Sequence, residues 1–367
     1  MADVWQIAFS MVKGMTSDMA SDILKAVGSE QAFFELGEQQ LQALSGGSSP
    51  IFSKSYRNKL LDRARTEFDY ITAKHIDAYY FRDGNYPLRF LNVPDAPLLL
   101  YAKGKCNLNS NKVVGIVGTR HISSYGEQLC RSLVREIREA FGQDTVIVSG
   151  LAYGVDVTAH ISALECNLPT VAVMAHGLDM IYPAVHRSVA VDIIQSGGAI
   201  LTEYPSKTRV HRHNFLARNR IIAALSDCVI VVESAKKGGA LVTAKIAQSY
   251  GRDVFAFPGR VGDQYSEGCH VLIRNNVAAL ITGVDDLAYA MGWNMEIGEK
   301  EPVQQSLFPE LSPEESSVVG RLKGQQPVHI NELSVSVGLP VHKLMSLLVD
   351  MEFRGIIRML PGNRYTI

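Results

Sequence analysis

No apolar run in the sequence approaches the roughly 20 residues that a bilayer-spanning helix requires, so no membrane role is expected. A Cys-x-x-Cys pair is also missing. The five cysteines, Cys106, Cys130, Cys166, Cys228 and Cys269, are odd in number and scattered. That spacing argues against a zinc site or a disulfide framework and fits a reducing compartment. Cys130, Cys166 and Cys228 lie among apolar residues and read as core fillers. Nor is there an excess of charge of either sign: 36 Lys and Arg against 37 Asp and Glu leave a net charge of -1. A neutral chain has no global field to draw in a polyanion, so any nucleic-acid role must rest on a local basic patch. The start, MADVWQIAFSMVKGM, has neither the basic opening nor the small-residue cleavage site of a secretory signal, and a cytoplasmic protein is expected.

What is present is a chain of 367 residues, 47% hydrophobic and 20% charged, enough for two or three globular domains. Residues 1–73 read as short helices, from apolar spacing in DMASDILKAV and EQAFFELGEQQLQAL, punctuated by Gly28 and the Gly46-Gly47 pair. VKGMTSDMASDILKAVGS resembles a helix-hairpin-helix or SAM-like module. From 75 to 291 the pattern changes to short β-rich runs: VVGIVGTR, TVIVSGLA, TVAVMAHG, GAILTEYP, CVIVVESA and DVFAFPGR. Helical segments such as SYGEQLCRSLVREIREAF and VDVTAHISALEC separate most of them. This alternation predicts an α/β fold, an extended Rossmann-like, doubly wound and mostly parallel sheet whose strands are apolar on both faces. The polar stretch 292–312 reads as a linker. Residues 313–367 carry the order of a winged helix: a helix, then INELSVSVG and LPVHKLMSLLVDMEFRG as helix-turn-helix, then IIRML and RYTI around PGN. The second of those helices offers only His342, Lys343 and Arg354 as cations, against Asp350 and Glu352, so a protein contact fits it at least as well as DNA.

In a doubly wound sheet, ligands bind beyond the carboxyl ends of the strands. Here those ends collect anion-binding chemistry. Gly115-Ile-Val-Gly118-Thr119-Arg120 replaces the dinucleotide spacing G-x-G-x-x-G with a turn that ends in a guanidinium suited to a phosphate. SGLAYGVDVTAH places Ser149, Gly150 and Gly154 where backbone N–H groups meet an anion at a helix start. Asp156 reads as a helix cap, and His160, one turn on, reads as its structural partner. HGLDMIYPAVHR offers Arg187. SKTRVHRHNFLARNR is the densest cationic stretch, holding Lys207, Arg209, Arg212, Arg218 and Arg220 beside Asn219, with Phe215 among the charges where an unpaired base would stack. His211 and His213 lack a carboxylate or cysteine at ligand spacing, so no metal is expected. SAKKGGALVTAK places Gly238 and Gly239 before a helix containing Thr243, a further amide-lined seat. One nucleotide could hardly occupy all of these loops, whereas a run of phosphates could.

These motifs, in this order, resemble the DprA (Smf) family of DNA-processing proteins. The resemblance runs from Gly115 to Arg120 through SGLAYGVDVTAH, HGLDMIYP, LTEYP, FLARNRIIAALSD and GGALVTAKIAQSYGRDVFAFPG to EGCHVLIRNN. It implies a binding protein rather than an enzyme, with no catalytic residue, cofactor or metal. Its expected task is to bind and protect incoming single-stranded DNA and to load the RecA recombinase during natural transformation or homologous recombination. It further implies a homodimer. By motif, the phosphate contacts are Arg120, Ser149, Gly150, Gly154, Arg187, Arg218, Asn219, Gly238, Gly239 and Thr243, and the dimer or RecA surface includes His270, Leu272 and Ile273. The sequence departs from the family pattern at His186 (often asparagine), Ala240 (often serine) and Asn276 (often glycine). Asparagine tolerates the left-handed conformation, so that last turn can survive.

Two enzymes compete with this reading. A LOG-type, lysine-decarboxylase-like phosphoribohydrolase acting on nucleoside monophosphates shares a Rossmann-like sheet and a Gly-Gly turn. It needs a glutamate beside that turn, and only Glu203 and Glu233 stand near strand ends, neither in a PGGxGTxxE arrangement. A dinucleotide-dependent oxidoreductase is disfavoured by the arginine that stands in place of the fingerprint.

Overall fold

A computed structural model describes residues 2–295, 311–323, 327–354, 356–360 and 363–366. The chain divides into two compact units, 1–298 and 299–367. Most of the stretch read as a linker, and Pro361 and Gly362 of the wing turn, lie outside the described residues.

The first unit opens with helices α1 (Val4–Ser10), α2 (Ser17–Val27), α3 (Glu30–Glu35) and α4 (Glu38–Ser45). Asp3, Thr16 and Ser29 cap the first three by accepting the N–H of Gln6, Met19 and Ala32, and Gly28 and Gly46 end α2 and α4. Helix α5 (Lys54–Lys74) runs 21 residues, longer than the short helices expected there. Polar residues dilute its periodic apolar face, of which Leu61, Ala64 and Ile71 are buried. Arg57 is fully buried and donates to the carbonyls of Phe33, Phe34 and Phe52 at 2.6, 2.9 and 3.0 Å, joining three elements.

Strands β1 (Asp77–Tyr80) and β2 (Leu99–Gly104) follow, and neither is prominent in the sequence. They pair antiparallel, and the helices share one apolar core with Tyr80, Leu99 and Tyr101. The alternating region then runs β3 (Val113–Val117), α6 (Ser124–Phe141), β4 (Val146–Ser149), α7 (Val155–Glu165), β5 (Thr170–Val173), α8 (Arg187–Gln195) and β6 (Ala199–Thr202). It continues with α9 (Arg212–Leu225), β7 (Cys228–Val231), α10 (Gly239–Ser249), β8 (Asp253–Ala256), α11 (Glu267–Arg274), β9 (Ala279–Leu280) and α12 (Val284–Met291). Among the described residues these strands form a nine-stranded sheet in the order β1-β2-β6-β5-β4-β3-β7-β8-β9. It is parallel from β6 to β9 and antiparallel at the β1-β2-β6 edge.

Strand β3 shows why such strands read as continuous apolar runs. Val113 and Val117 pack in one core with α9, α10 and α11, whereas Val114 and Ile116 pack in another with α6, α7 and α12. A strand covered on both faces has no side to leave polar. The chain lays down β3 to β6 in one direction and then crosses to place β7 on the other flank of β3. That reversal is a topological switch point, which opens a crevice beyond the carboxyl ends of β3 and β7.

The second unit is a winged helix. Helix α13 (Pro313–Leu322) starts from a Ser312–Glu315 capping box. Strand β10 (Val328–His329), α14 (Ile330–Val337), α15 (Val341–Phe353), β11 (Arg358–Leu360) and β12 (Arg364–Thr366) follow, with the small sheet ordered β10-β12-β11. Gly338, at φ 74°, ends α14 and lets α15 leave at 104°. Leu333, Leu344, Leu348 and Met351 fill the core. Arg354 bonds Glu315 at 2.5 Å and Asp350 at 3.2 Å, so this cation is spent inside the unit. Val341, Met345 and Val349 form an exposed stripe on α15 at four-residue spacing.

Candidate nucleic-acid interface

At the switch point lies a cavity of about 670 Å³. The loop after β3 supplies Gly118, Thr119, Arg120 and His121. One face of α9 supplies Arg212, Phe215, Leu216, Asn219 and Ile222, with Arg218 between them. The loop after β7 supplies Lys237 and the opening turn of α10, namely Gly238, Gly239, Ala240 and Thr243. No side chain caps that turn, so its N–H groups and the positive end of the helix remain available to an anion. Arg120, Arg212, Arg218 and Lys237 surround the space, and Asp156 is the single carboxylate among the lining residues. A chain neutral as a whole thus concentrates positive charge in one concave place.

Arg120 and Phe215 form the centre of the exposed rim. The Arg120 guanidinium sits 5.4 Å from the Phe215 ring centroid, and the Tyr182 ring lies 5.8 Å from Phe215 on a tilted plane. Arg120 is solvent-exposed and forms no salt bridge among the described residues, so its donors are free for a ligand.

Arg218 is different. It is 3% exposed, and its Nη1 donates to Gly150 O at 2.8 Å and to Val173 O, crossing the ends of β4 and β5. Its Nε is buried without a partner. Burial lowers its basicity, which the Asp156 carboxylate partly restores. Burial in turn raises the Asp156 carboxyl above the usual range, offset by Arg218 and the Ala152 N–H. Arg218 therefore forms the floor of the cavity as much as it faces it.

The sequence-assigned contacts separate into two layers. Arg120, Phe215, Arg218, Asn219, Gly238, Gly239 and Thr243 line the cavity together. Ser149, Gly150 and Gly154 do not line it and instead shape what does. Ser149 Oγ donates to Ile116 O at 2.6 Å. A Cβ on Gly150 would stand 2.2 Å from Arg218 Nη1. Gly154 has φ 74°, and a Cβ there would come within 2.2 Å of Thr119 O and 2.7 Å of the Arg120 carbonyl carbon, so the Arg120 loop rests on it. Arg187 is exposed but does not line the cavity, because helix α8 starts farther along the sheet edge.

Other expectations change more. Asp156 and His160 share a helix but not a bond: His160 Nδ1 lies 2.7 Å from Thr170 Oγ1, whereas Asp156 faces Arg218 and Ser149. Full burial lowers the His160 imidazole to about 3. Leu272 is fully buried in the chain's own core and presents nothing to a partner, whereas His270 and Ile273 on the same helix are half-buried. Asn276 adopts φ 53°, the left-handed turn that glycine would otherwise supply. Cavity residues not singled out from the sequence include Lys237, Tyr182 and His121. Arg212, expected as part of the cationic stretch but not as a contact, lies three and seven residues before Phe215 and Asn219, the helical spacing that puts it on their face.

A family model for DNA recombination-mediator protein A matches residues 77–292, and one for the DprA winged helix domain matches residues 302–363. Protein Smf of Escherichia coli is 34% identical over 288 residues, covering 76% of this chain and 74% of that protein. An X-ray structure of DNA processing protein A (DprA) from Streptococcus pneumoniae superposes with a TM-score of 0.64 at 30% identity, covering 78% of this chain and 98% of that one. A structure of DNA processing protein A from Helicobacter pylori, described for its single-stranded DNA binding mode, gives a TM-score of 0.52 at 32% identity, covering 59% and 95%. The sheet order, the switch-point cavity, the winged helix and these matches agree: the chain belongs to the DNA recombination-mediator protein A (DprA/Smf) family of DNA-processing proteins.

Proposed function

We propose that this protein binds single-stranded DNA in the switch-point cavity, with the phosphates on Arg120, Arg212, Lys237 and the opening turn of α10 and a base against Phe215. One observation carries the reading: four cations and an uncapped helix start surround one concave space with one carboxylate, on a chain whose total charge is -1. The exposed aromatic ring among the cations favours unpaired over paired strands, because only an unstacked base presents its face to Phe215. The H. pylori relative's described binding mode supports the same ligand. The proposed role extends to protecting the bound strand and loading RecA during recombination or natural transformation. Dimerisation is proposed through the exposed side of α11, with His270 and Ile273, beside the edge strand β9.

A phosphoribohydrolase is disfavoured. Glu203 bonds Arg220, and Glu233 is buried with Ser123, accepting its backbone N–H at 2.9 Å and its hydroxyl. Neither carboxylate reaches the cavity.

The test is a salt titration of the purified protein with single-stranded and duplex oligonucleotides of one sequence. Tighter binding of the single strand, weakening steeply with salt, is expected. Equal affinity for the duplex, or binding indifferent to salt, overturns the proposal.

A further inference from the structure

Beyond the rim of the cavity the surface continues into a second aromatic step. Ala152 lines the cavity, and the next residue, Tyr153, is 50% exposed although it sits in the well-packed turn between β4 and α7. Its backbone is anchored. Gly154 abuts Thr119 and Arg120, and Val155 N donates to Thr119 O at 3.1 Å. The ring packs edge-on against His186 at 5.0 Å between centroids. His186 is itself buried, with Nδ1 held 2.8 Å from Leu151 O. From the other side the loop after β5 brings Tyr182, 43% exposed and already against Phe215, and Val185, 67% exposed. Arg187 follows, exposed and outside the cavity.

Nothing in the fold needs these side chains in water. A tyrosine half out of a rigid turn and braced by a buried histidine keeps its ring orientation, so it can receive a base without losing much freedom. We propose that Tyr153, together with Tyr182 and Arg187, forms a second base-stacking platform that takes the nucleotide next along the strand from the one at Phe215. This rests on the single-stranded DNA reading of the cavity. The ligand class is an extended, unpaired oligonucleotide, since a mononucleotide in the cavity would end before Tyr153. Stacking on a ring is indifferent to base identity, and a guanidinium beside the ring takes the adjoining phosphate. The platform thus lengthens the site without adding sequence preference.

The experiment compares a thymidine mononucleotide, which fills only the cavity, with an oligothymidylate of about 16 nucleotides, at the upper end of common site sizes for such surfaces. Binding is measured to the wild-type full chain and to Tyr153→Ala, Tyr153→Phe and Arg120→Ala. Tyr153→Ala is expected to bind the mononucleotide like wild type and the oligomer roughly fivefold or more weakly, with Tyr153→Phe restoring wild-type binding. Arg120→Ala weakens both lengths. If Tyr153→Ala binds both lengths like wild type, the platform is refuted while the cavity reading stands. A loss equal at both lengths also refutes it, since Tyr153 would then only brace the Arg120 loop. If wild type binds neither ligand, or Arg120→Ala changes nothing, the cavity reading itself fails and the platform with it.

Discussion

Arg120→Ala separates binding from folding at this site. The side chain is exposed, touches the Phe215 ring at 5.4 Å and forms no salt bridge among the described residues. Its removal should therefore cost the fold no more than about 1 kcal/mol, the scale of an exposed cation–π contact. A charge-assisted hydrogen bond to phosphate contributes about 1.5–3 kcal/mol, so affinity for single-stranded DNA should fall about ten- to a hundredfold. Salt gives an independent check. Each phosphate neutralised on a single strand contributes a slope of about 0.7 in log K against log salt. One lost contact should therefore shrink the wild-type advantage about 2.6-fold between about 50 and about 200 mM salt. Fluorescence anisotropy with a homopolymer and a mixed sequence measures both quantities, and the loss should be the same for each sequence because a phosphate carries no base identity. Unchanged affinity refutes the assignment. A loss with an unaltered salt slope refutes the phosphate role in particular and assigns Arg120 to orienting Phe215.

Three further outcomes follow from the packing. Arg218→Met strands the Asp156 carboxyl and frees the carbonyls of Gly150 and Val173, so urea denaturation should show a loss of about 3–5 kcal/mol; wild-type stability would mean the guanidinium is not structural. His160 is held neutral, with its imidazole lowered from 6.5 to about 3. Its stabilisation is complete above pH 6.5 and declines as the unfolded imidazole takes up a proton, reaching a loss of about 2 kcal/mol near pH 5. The stability difference between wild type and His160→Gln should narrow by about that amount from pH 7.5 to pH 5, and a constant difference refutes the assignment. Ile273→Glu should give folded monomers by light scattering and circular dichroism, whereas Leu272→Asp should unfold the chain because it buries a charge in the core; an unaltered dimer in Ile273→Glu places the interface elsewhere.

Much of the architecture was legible because its signals are local. The six runs from VVGIV to DVFAF are apolar on both faces, and only a sheet between helix layers asks for that. The strands β1 and β2 were harder to read, because DAYY and LLYAKG gain their meaning from pairing with each other and with β6. Helix α5 was hidden for a similar reason: its polar residues are solvated along most of its length, and its few buried positions matter only once β1 and β2 complete the core. In the site, Arg120 and the Gly238-Gly239 turn could be identified from the strand-turn pattern. Ser149, Gly150 and Gly154 carried the same pattern but serve the layer beneath.

The residue order by itself determined the strand and helix succession, the glycine and guanidinium turns and their family, since each depends on neighbours a few positions apart. Tertiary structure decided which of those groups share a cavity. Arg218 and Arg220 are two residues apart on one helix, yet the first lies beneath the cavity and the second turns to Glu203 and Asp95. Burial and partner choice depend on what packs across from a residue, and for Arg218 those partners are Gly150 and Val173, 68 and 45 positions away.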